Sequence, residues 1–424
     1  MAETGTQLNA LPLIKRRLSA WDPLREPLFR SLWIAAVASY TGTWMQNVGT
    51  GWLMASLTNS PVMVGLVQAA SSLPVFLVVI PAGALADMVD RRRLLILTQS
   101  WMVIAAAALG ILTIFQVVTP GLLLLFTFLL GLGAATNDPP WQAITHEMVS
   151  EENFPAAVAL NSAGFNVARA VGPALGGLII AAWGSGVAFL INAASFFGVI
   201  WILYCWKRVP HEDPMPAKDV FAAIRTGFQY ARQSSAMQSV LIRTGVFSLS
   251  ATALWAMLPL IAKPYGSIGY GTMLAFFGVG ALAGAAMLPR FRRAFSVHKM
   301  VTSATVLYAA VTSASGYLGS FWALCIVLFA GGVGWIIILA SLNVSAQILS
   351  PVWLRARTLS MYLLVLQGGM AAGSAFWGGV AGRFGIANAL SAAAVALVLG
   401  VFASRNHRLR ADQADFPASP VVES

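Results

Sequence analysis

The run 164-GFNVARAVGPALGGLII-180 is built of small and apolar residues, yet Arg169 sits near its middle. A guanidinium in such a setting costs about 2.5–3.5 kcal/mol on insertion scales, so its retention demands a partner or a task. Its planar fork of donors suits bidentate recognition of a carboxylate and also favours phenolic oxygens. The acids of the chain offer it no partner inside an apolar run. All 15 Asp and Glu fall in tails, loops or at the ends of apolar runs, and the deepest is Asp138, followed by Pro139 and Pro140. His146, His211, His298 and His407 are equally peripheral. Arg169 is therefore expected to be the one formal charge of the central path between the helices. It either holds an anionic or phenolic ligand, or has a structural part, bonding backbone carbonyls freed by Pro173 or pairing with a polar neighbour. Asp138 has two readings of equal weight, a helix N-cap with Pro at the next position or an ion pair with Arg91 or Arg92. It is also the candidate for proton coupling. No nucleophile–base pair and no metal-ligand spacing occurs, so neither an enzyme nor a metal or cofactor site is expected.

The elements that position these residues follow from composition. The 424 residues are 58% hydrophobic and 10% charged, with a mean hydropathy of +0.76, whereas a soluble domain carries about 25% charged residues. Twelve apolar runs, each near the ~20 residues that cross a bilayer, fall at 31–54, 62–86, 94–116, 121–143, 156–182, 186–206, 240–262, 269–289, 299–319, 321–345, 357–381 and 386–404. Only helices satisfy their own backbone in lipid within such runs. The expected fold is an all-α membrane protein of twelve transmembrane helices. A net charge of +11 would point to nucleic acid in a soluble chain, but here its placement matters more. With the N-terminus inside, all but three of the 26 Lys and Arg fall on one side, the exceptions being Arg169, Lys263 and Arg383. The positive-inside rule then puts both termini in the cytoplasm, with the bilayer and not nucleic acid as the partner of the basic surface. The first 28 residues do not have the form of a cleavable signal. Cys205 and Cys325 lie in apolar runs as packing residues, and no disulfide is expected.

The layout is a tail over 1–30, a six-helix half over 31–206, a central loop over 207–239, a second half over 240–404 and a tail over 405–424. The loop is expected to hold an amphipathic helix, with Phe221, Ile224 and Phe228 on one face and Arg225 and Arg232 opposite. Gly83 and Gly284, Arg91 and Arg292, Arg92 and Arg293, and Ser150 and Ser350 correspond at a shift of 200 or 201 residues. Parallel six-helix repeats are a transporter architecture with the substrate site between the halves.

Two motifs sharpen this. The segment 83-GALADMVDRRR-93 resembles the loop signature G-x-L-x-D-x-x-G-R-x-x of the major facilitator superfamily, with Gly83, Leu85, Asp87 and Arg91 on its fixed positions and Asp90 where many members have Gly. The segment 168-ARAVGPALGG-177 is similar to the fifth-helix motif of proton-driven exporters, matching at Gly172, Pro173, Gly176 and Gly177, with Ala168 in place of the first Gly. The runs 42-GTWMQNVGTGWLMASLTNSPVMVG-65, 137-NDPPWQA-143 and 159-ALNSAGFNVARAVGP-173 resemble the branch that contains the enterobactin (siderophore) exporter. One departure is Thr127, which stands before 131-GLGAA-135 where many proton antiporters carry an arginine.

The resemblance implies a proton-linked exporter of a small organic molecule in a bacterial inner membrane, working by alternating access as a monomer. With Arg169 as its cation, the substrate would be anionic, phenolic or siderophore-like. An importer or uniporter on the same fold, and a receptor or scaffold that does not translocate, remain alternatives. On the helices that line the family's cavity, Trp44, Phe126, Trp255 and Trp335 offer aromatic surface, and Asn47, Gln68, Asn166 and Gln367 offer hydrogen bonds. The loop motif, with Arg92, would form a gate. Asp87 would face Arg357, and Glu151 and Glu152 would either face Arg290, Arg292 and Arg293 across the two halves or only complement their own helix dipole behind a Ser150 cap.

Overall fold

The computed structural model describes residues 19–206, 228–351 and 354–403, with the side chains of 79–88 and 356 outside the description. Twelve long helices run through it: α1 (Pro27–Leu57), α2 (Pro61–Met88), α3 (Arg91–Ile114), α4 (Pro120–Met148), α5 (Phe154–Trp183), α6 (Ser185–Cys205), α7 (Ser235–Ala262), α8 (Gly266–Ala294), α9 (Val297–Ser315), α10 (Phe321–Ile348), α11 (Arg355–Phe384) and α12 (Ile386–Ala403). Nine stretches of the described residues are long and apolar enough to cross a membrane, and one of them, Ser235–Ala294, runs through both α7 and α8. Outside these stretches are α9 and α1, and α1 carries Thr41, Thr43, Gln46, Asn47 and Thr50.

Local chemistry sets the helix ends. Asp90 caps α3 by accepting from Arg93 N at 2.8 Å, and Ser234 and Ser296 cap α7 and α9 in the same way. Such caps satisfy donors that a helix start leaves open. Gly184 and Gly385 end α5 and α11 at φ 85° and 86°, a left-handed turn that glycine adopts without a Cβ penalty. The two turns are related by the shift seen between the repeats.

Packing repeats the same symmetry. In the first half α1 packs on α5 and α6, α3 on α4 and α6, and α2 on α4. Each pair recurs six helices later, as α7 on α11 and α12, α9 on α10 and α12, and α8 on α10. The halves meet through α2 on α11 and α5 on α8. The described approaches between them lie away from the end that carries Arg91, Arg92, Arg93, Arg290, Arg292 and Arg293, the basic end. Gly65 lies against Ser374 and Gly378, and Gly177 lies against Ser267 and Gly271. Two hydrogen bonds join the halves at that opposite end, Lys263 Nζ to Asn59 Oδ1 at 2.5 Å and Ser267 Oγ to Gly177 O at 3.2 Å. The bundle is closed there.

Three expectations need correction. The fourth helix does not stop near residue 143; α4 continues through Pro139 and Pro140 to Met148, so Asp138 is not an N-cap but lies inside a helix. Ser150 does not cap α5, whose N-cap position is Asn153, and Glu151 and Glu152 occupy the preceding turn. Arg243, inside the seventh apolar run, is buried within α7, with Nη2 3.1 Å from His298 Nδ1 on α9. Of the amphipathic segment, 207–227 lies outside the described residues, taking Phe221, Ile224 and Arg225 with it. In the helical turn 228–233, Arg232 does not oppose Phe228 but stacks over its ring at 5.9 Å, because residues four apart are neighbours on a helix.

Candidate functional site

Between the halves lies a cavity of about 530 Å³. Ten of the twelve helices contribute to its lining, and α9 and α12 contribute none of it. From α4 come Thr127, Leu130, Gly131 and Ala134, spaced so that one face of the helix lines the space. Asp138 continues that stripe one turn toward the basic end, and its side chain is exposed. From α5 come Phe165 and Arg169, and from α1 come Trp44, Gln46, Asn47 and Thr50.

Arg169 is the only charged residue of the lining among the described residues. Its Nε is buried without a hydrogen-bond partner, and the guanidinium carbon stands 5.6 Å from the Trp44 ring centroid. Among the described residues no carbonyl freed by Pro173 accepts a hydrogen bond from its Nε. Cation–π contact with Trp44 is worth about 0.5–2 kcal/mol, which offsets only part of the desolvation of the charge. Rings continue from Trp44 toward the basic end. Trp44 meets Phe165 at 6.2 Å, Phe165 meets Tyr40 at 5.4 Å, and Tyr40 meets Trp141 at 6.4 Å. Across the cavity, Trp255 and Trp335 cross at 5.6 Å, and Trp255 Nε1 is likewise buried without a partner. Asn192 donates to Gln46 Oε1 at 2.5 Å, so two of the polar side chains are held by each other.

A twelve-helix bundle of two repeated halves enclosing a central cavity can be matched to known proteins. The family model described as transmembrane secretion effector matches residues 18–423. The chain belongs to this family of major facilitator transporters. It is similar to the staphyloferrin A transporter of Staphylococcus aureus, at 25% identity over 278 residues, 63% of this chain and 68% of that one. It is also similar to the enterobactin exporter EntS of Salmonella typhi, at 24% identity over 265 residues. That match covers 61% of this chain and 63% of the exporter, under two thirds of its length. Among solved structures, a bacterial homolog of the human lysosomal transporter Spinster, in an inward-facing and occupied conformation, superposes with a TM-score of 0.72. At 15% identity over 92% of this chain and 98% of that one, this shows the fold alone. The protein is thus a multi-pass membrane transporter, not an enzyme.

In the transporter, Trp44, Asn47, Gln68, Arg169, Trp255, Trp335 and Gln367 all line the cavity. Phe126 and Asn166 do not. Phe126 is packed into the hydrophobic cluster of the first half, and Asn166 donates to Ser162 O of its own helix at 2.8 Å. Sequence reasoning missed Gln46, Phe165, Tyr270 and Asn192, of which Phe165 could have been found by stepping one turn back from Arg169.

The motif residues divide by location. Gly172 and Gly176 lie against α1, where a Cβ would stand 2.6 Å from Trp44 Cβ and 3.0 Å from Met45 Cα, so they let α1 bring Trp44 beside Arg169. Gly177 faces the other half, where a Cβ would stand 2.6 Å from Ser267 O. Gly83, Leu85 and Asp87 fall in the last turns of α2, with side chains outside the description. Arg91 pairs with Glu147 of α4 at 3.0 Å, and Arg92 donates to the carbonyls of Leu203 and Tyr204 at 2.6 and 2.8 Å. Asp138 therefore pairs with neither arginine. Both arginines fasten α3 to its own half. Glu151 and Glu152 are exposed and make no ion pair with Arg292 or Arg293 among the described residues.

Proposed function

We propose that the transporter is a proton-linked exporter of a small organic anion, phenolic or siderophore-like, acting as a monomer in a bacterial inner membrane. The observation that carries this reading is Arg169, an unpartnered cation in a central cavity whose described lining includes no acid. A lipophilic cation would find no counter-charge there, whereas a carboxylate or phenolate would complete the guanidinium's hydrogen bonding. The names of the relatives, a staphyloferrin A transporter and an enterobactin exporter, agree with such a substrate class. Asp138, exposed on the stripe leading from the basic end to the cavity, is the candidate proton carrier. The two halves would rock about the cavity, exposing Arg169 to each side in turn.

The test is uptake into everted membrane vesicles, with the substrate supplied by comparing metabolites of deletion and wild-type cells. Accumulation that needs an acid vesicle lumen, and that a protonophore abolishes, is expected. Equal accumulation without a gradient would show a uniporter.

Orientation is checked separately. Ser185 is buried and would label poorly, so exposed Ser320 at the opposite end and exposed Ser296 at the basic end serve as cysteine positions. In intact cells Ser320→Cys should react with an impermeant maleimide and Ser296→Cys should not. The reverse pattern would turn the transporter over.

The charges of the basic end would act when that end closes. Asp87 would approach the N-terminal turn of α11 and Arg357, and Glu151 and Glu152 would approach Arg290, Arg292 and Arg293. Exposed pairs are worth about 0–1 kcal/mol each, so they bias a population and do not lock it. Asp87→Asn, or Glu151→Lys with Glu152→Lys, should slow transport by roughly two- to fivefold, the range such energies allow. Adding Arg292→Glu and Arg293→Glu to the double lysine variant should restore part of the rate. No rescue would leave these glutamates with a local role only.

A further inference from the structure

The cavity wall is chemically divided. Its serine, threonine and asparagine side chains, and its one charged group, all come from the first half, where Thr43, Asn47, Thr50, Thr127 and Asn192 share the wall with Arg169 and with apolar residues such as Val48, Val67 and Phe196. The facing wall comes from the second half and is aromatic and aliphatic: Trp255, Leu274, Trp335, Leu339, Leu366 and Met370. Its polar atoms are few, namely Gln367, the Tyr270 hydroxyl and the buried Trp255 indole N–H. Because the cavity lies between the two halves, a molecule seated in it touches both surfaces at once.

A wholly hydrophilic anion would satisfy Arg169 but press its polar groups against the second half, where they would lose water without gaining partners. A wholly apolar molecule would fit the second half and leave Arg169 desolvated beside it. We infer that the substrate is an anionic amphiphile, with a compact oxyanion head at Arg169 and an apolar aromatic or hydrocarbon body against Trp255, Trp335, Leu339 and Leu366. This rests on the proposed role of Arg169 and adds to it a division of labour: the first half reads charge and the second half reads apolar length.

The division can be tested with probes whose head is constant. Full-length transporter in nanodiscs is titrated calorimetrically with benzoate and its 4-propyl, 4-butyl and 4-pentyl derivatives, and with the matching benzamides, empty nanodiscs being subtracted. Each added methylene is expected to tighten Kd by about fourfold, and acids are expected to bind at least about tenfold tighter than amides, as a charge-assisted pair at Arg169 requires. Leu339→Asn with Leu366→Asn should cut the gain per methylene below about twofold while keeping the acid-over-amide ratio, which an unfolded protein could not keep. Met370→Gln, a milder change on the same wall, should lower the gain partway. The inference is overturned if the wild type shows no gain per methylene, if it binds none of the series, or if the gain is unchanged in both variants. A wild type that prefers longer chains but does not distinguish acids from amides would remove the anion-binding role of Arg169 while leaving the apolar wall intact, so the two failures are distinct.

Discussion

Arg169→Ala is expected to lower transport of an anionic or phenolic substrate by about two to three decades while leaving the protein folded in the membrane. Removing one partner of a desolvated charge pair typically costs about 3–5 kcal/mol, because the other charge stays buried without compensation. Arg169→Lys should recover no more than about a tenth of the rate, since a point charge cannot reproduce the planar fork. The thermal stability of the substrate-free protein gives the decisive contrast. Arg169 makes no hydrogen bond there beyond its approach to the Trp44 ring, so the alanine variant should melt at the wild-type temperature or above it. A variant that transports normally, or one that fails only because it no longer folds, would return Arg169 to a structural role.

The second large effect separates two glycines that look alike in the sequence. A Cβ on Gly271 would run into Pro173 O and stand 2.9 Å from Gly177 Cα, both on the backbone of the other half. A Cβ on Gly332 would run into Phe277 O and stand 2.8 Å from Ala281 N, both within its own half. Neither backbone can yield cheaply, and overpacking of this kind costs about 1–3 kcal/mol or more. At Gly271, however, the protein has a way out, because α5 and α8 can part by opening the bundle at the end opposite the basic one. Gly271→Leu is therefore expected to remain folded but to favour that open state, with transport reduced more than about tenfold, the size a shift of ~1.4 kcal/mol produces. Asn47→Cys in the cavity should then react faster with an impermeant reagent from that end. Gly332→Leu has no such escape and should yield little folded protein. Unchanged labelling of Asn47→Cys in the Gly271→Leu background would mean that the seam is not where the halves part.

The number of helices and the existence of two repeats were legible because length and composition report crossing of a bilayer directly. Arg169 was legible because a charge in an apolar run has few bland explanations. Which face of each helix meets the cavity was less so. The helices of this protein are apolar nearly all round, so the periodicity that orients an amphipathic helix is faint. Phe126 and Thr127 illustrate this: they are adjacent, yet the phenylalanine packs inward in its own half and the threonine lines the cavity. The extent of α4 was hidden by Pro139 and Pro140, which signal a boundary locally, while packing against α2 and α3 carries the helix onward. The correct partner of Arg91 was equally hidden, since Glu147 becomes available only when α4 continues that far.

The absence of an acid from the described lining around the cavity also has an electrical consequence. A substrate-free transporter that turns this guanidinium from one side of the membrane to the other carries net positive charge through part of the field. A whole charge crossing 100 mV involves about 2.3 kcal/mol, so a traverse of a third of the field involves roughly 0.8 kcal/mol. With the basic end in the cytoplasm, as proposed, an inside-negative potential would hold the empty cavity toward the cytoplasm, ready to load. A bound monoanion would cancel the charge of Arg169, leaving the ionisation of Asp138 to set what the loaded step carries. Membrane voltage would then act on the return of the empty carrier, and rapid charge-displacement recordings in proteoliposomes should show a transient that saturating substrate suppresses.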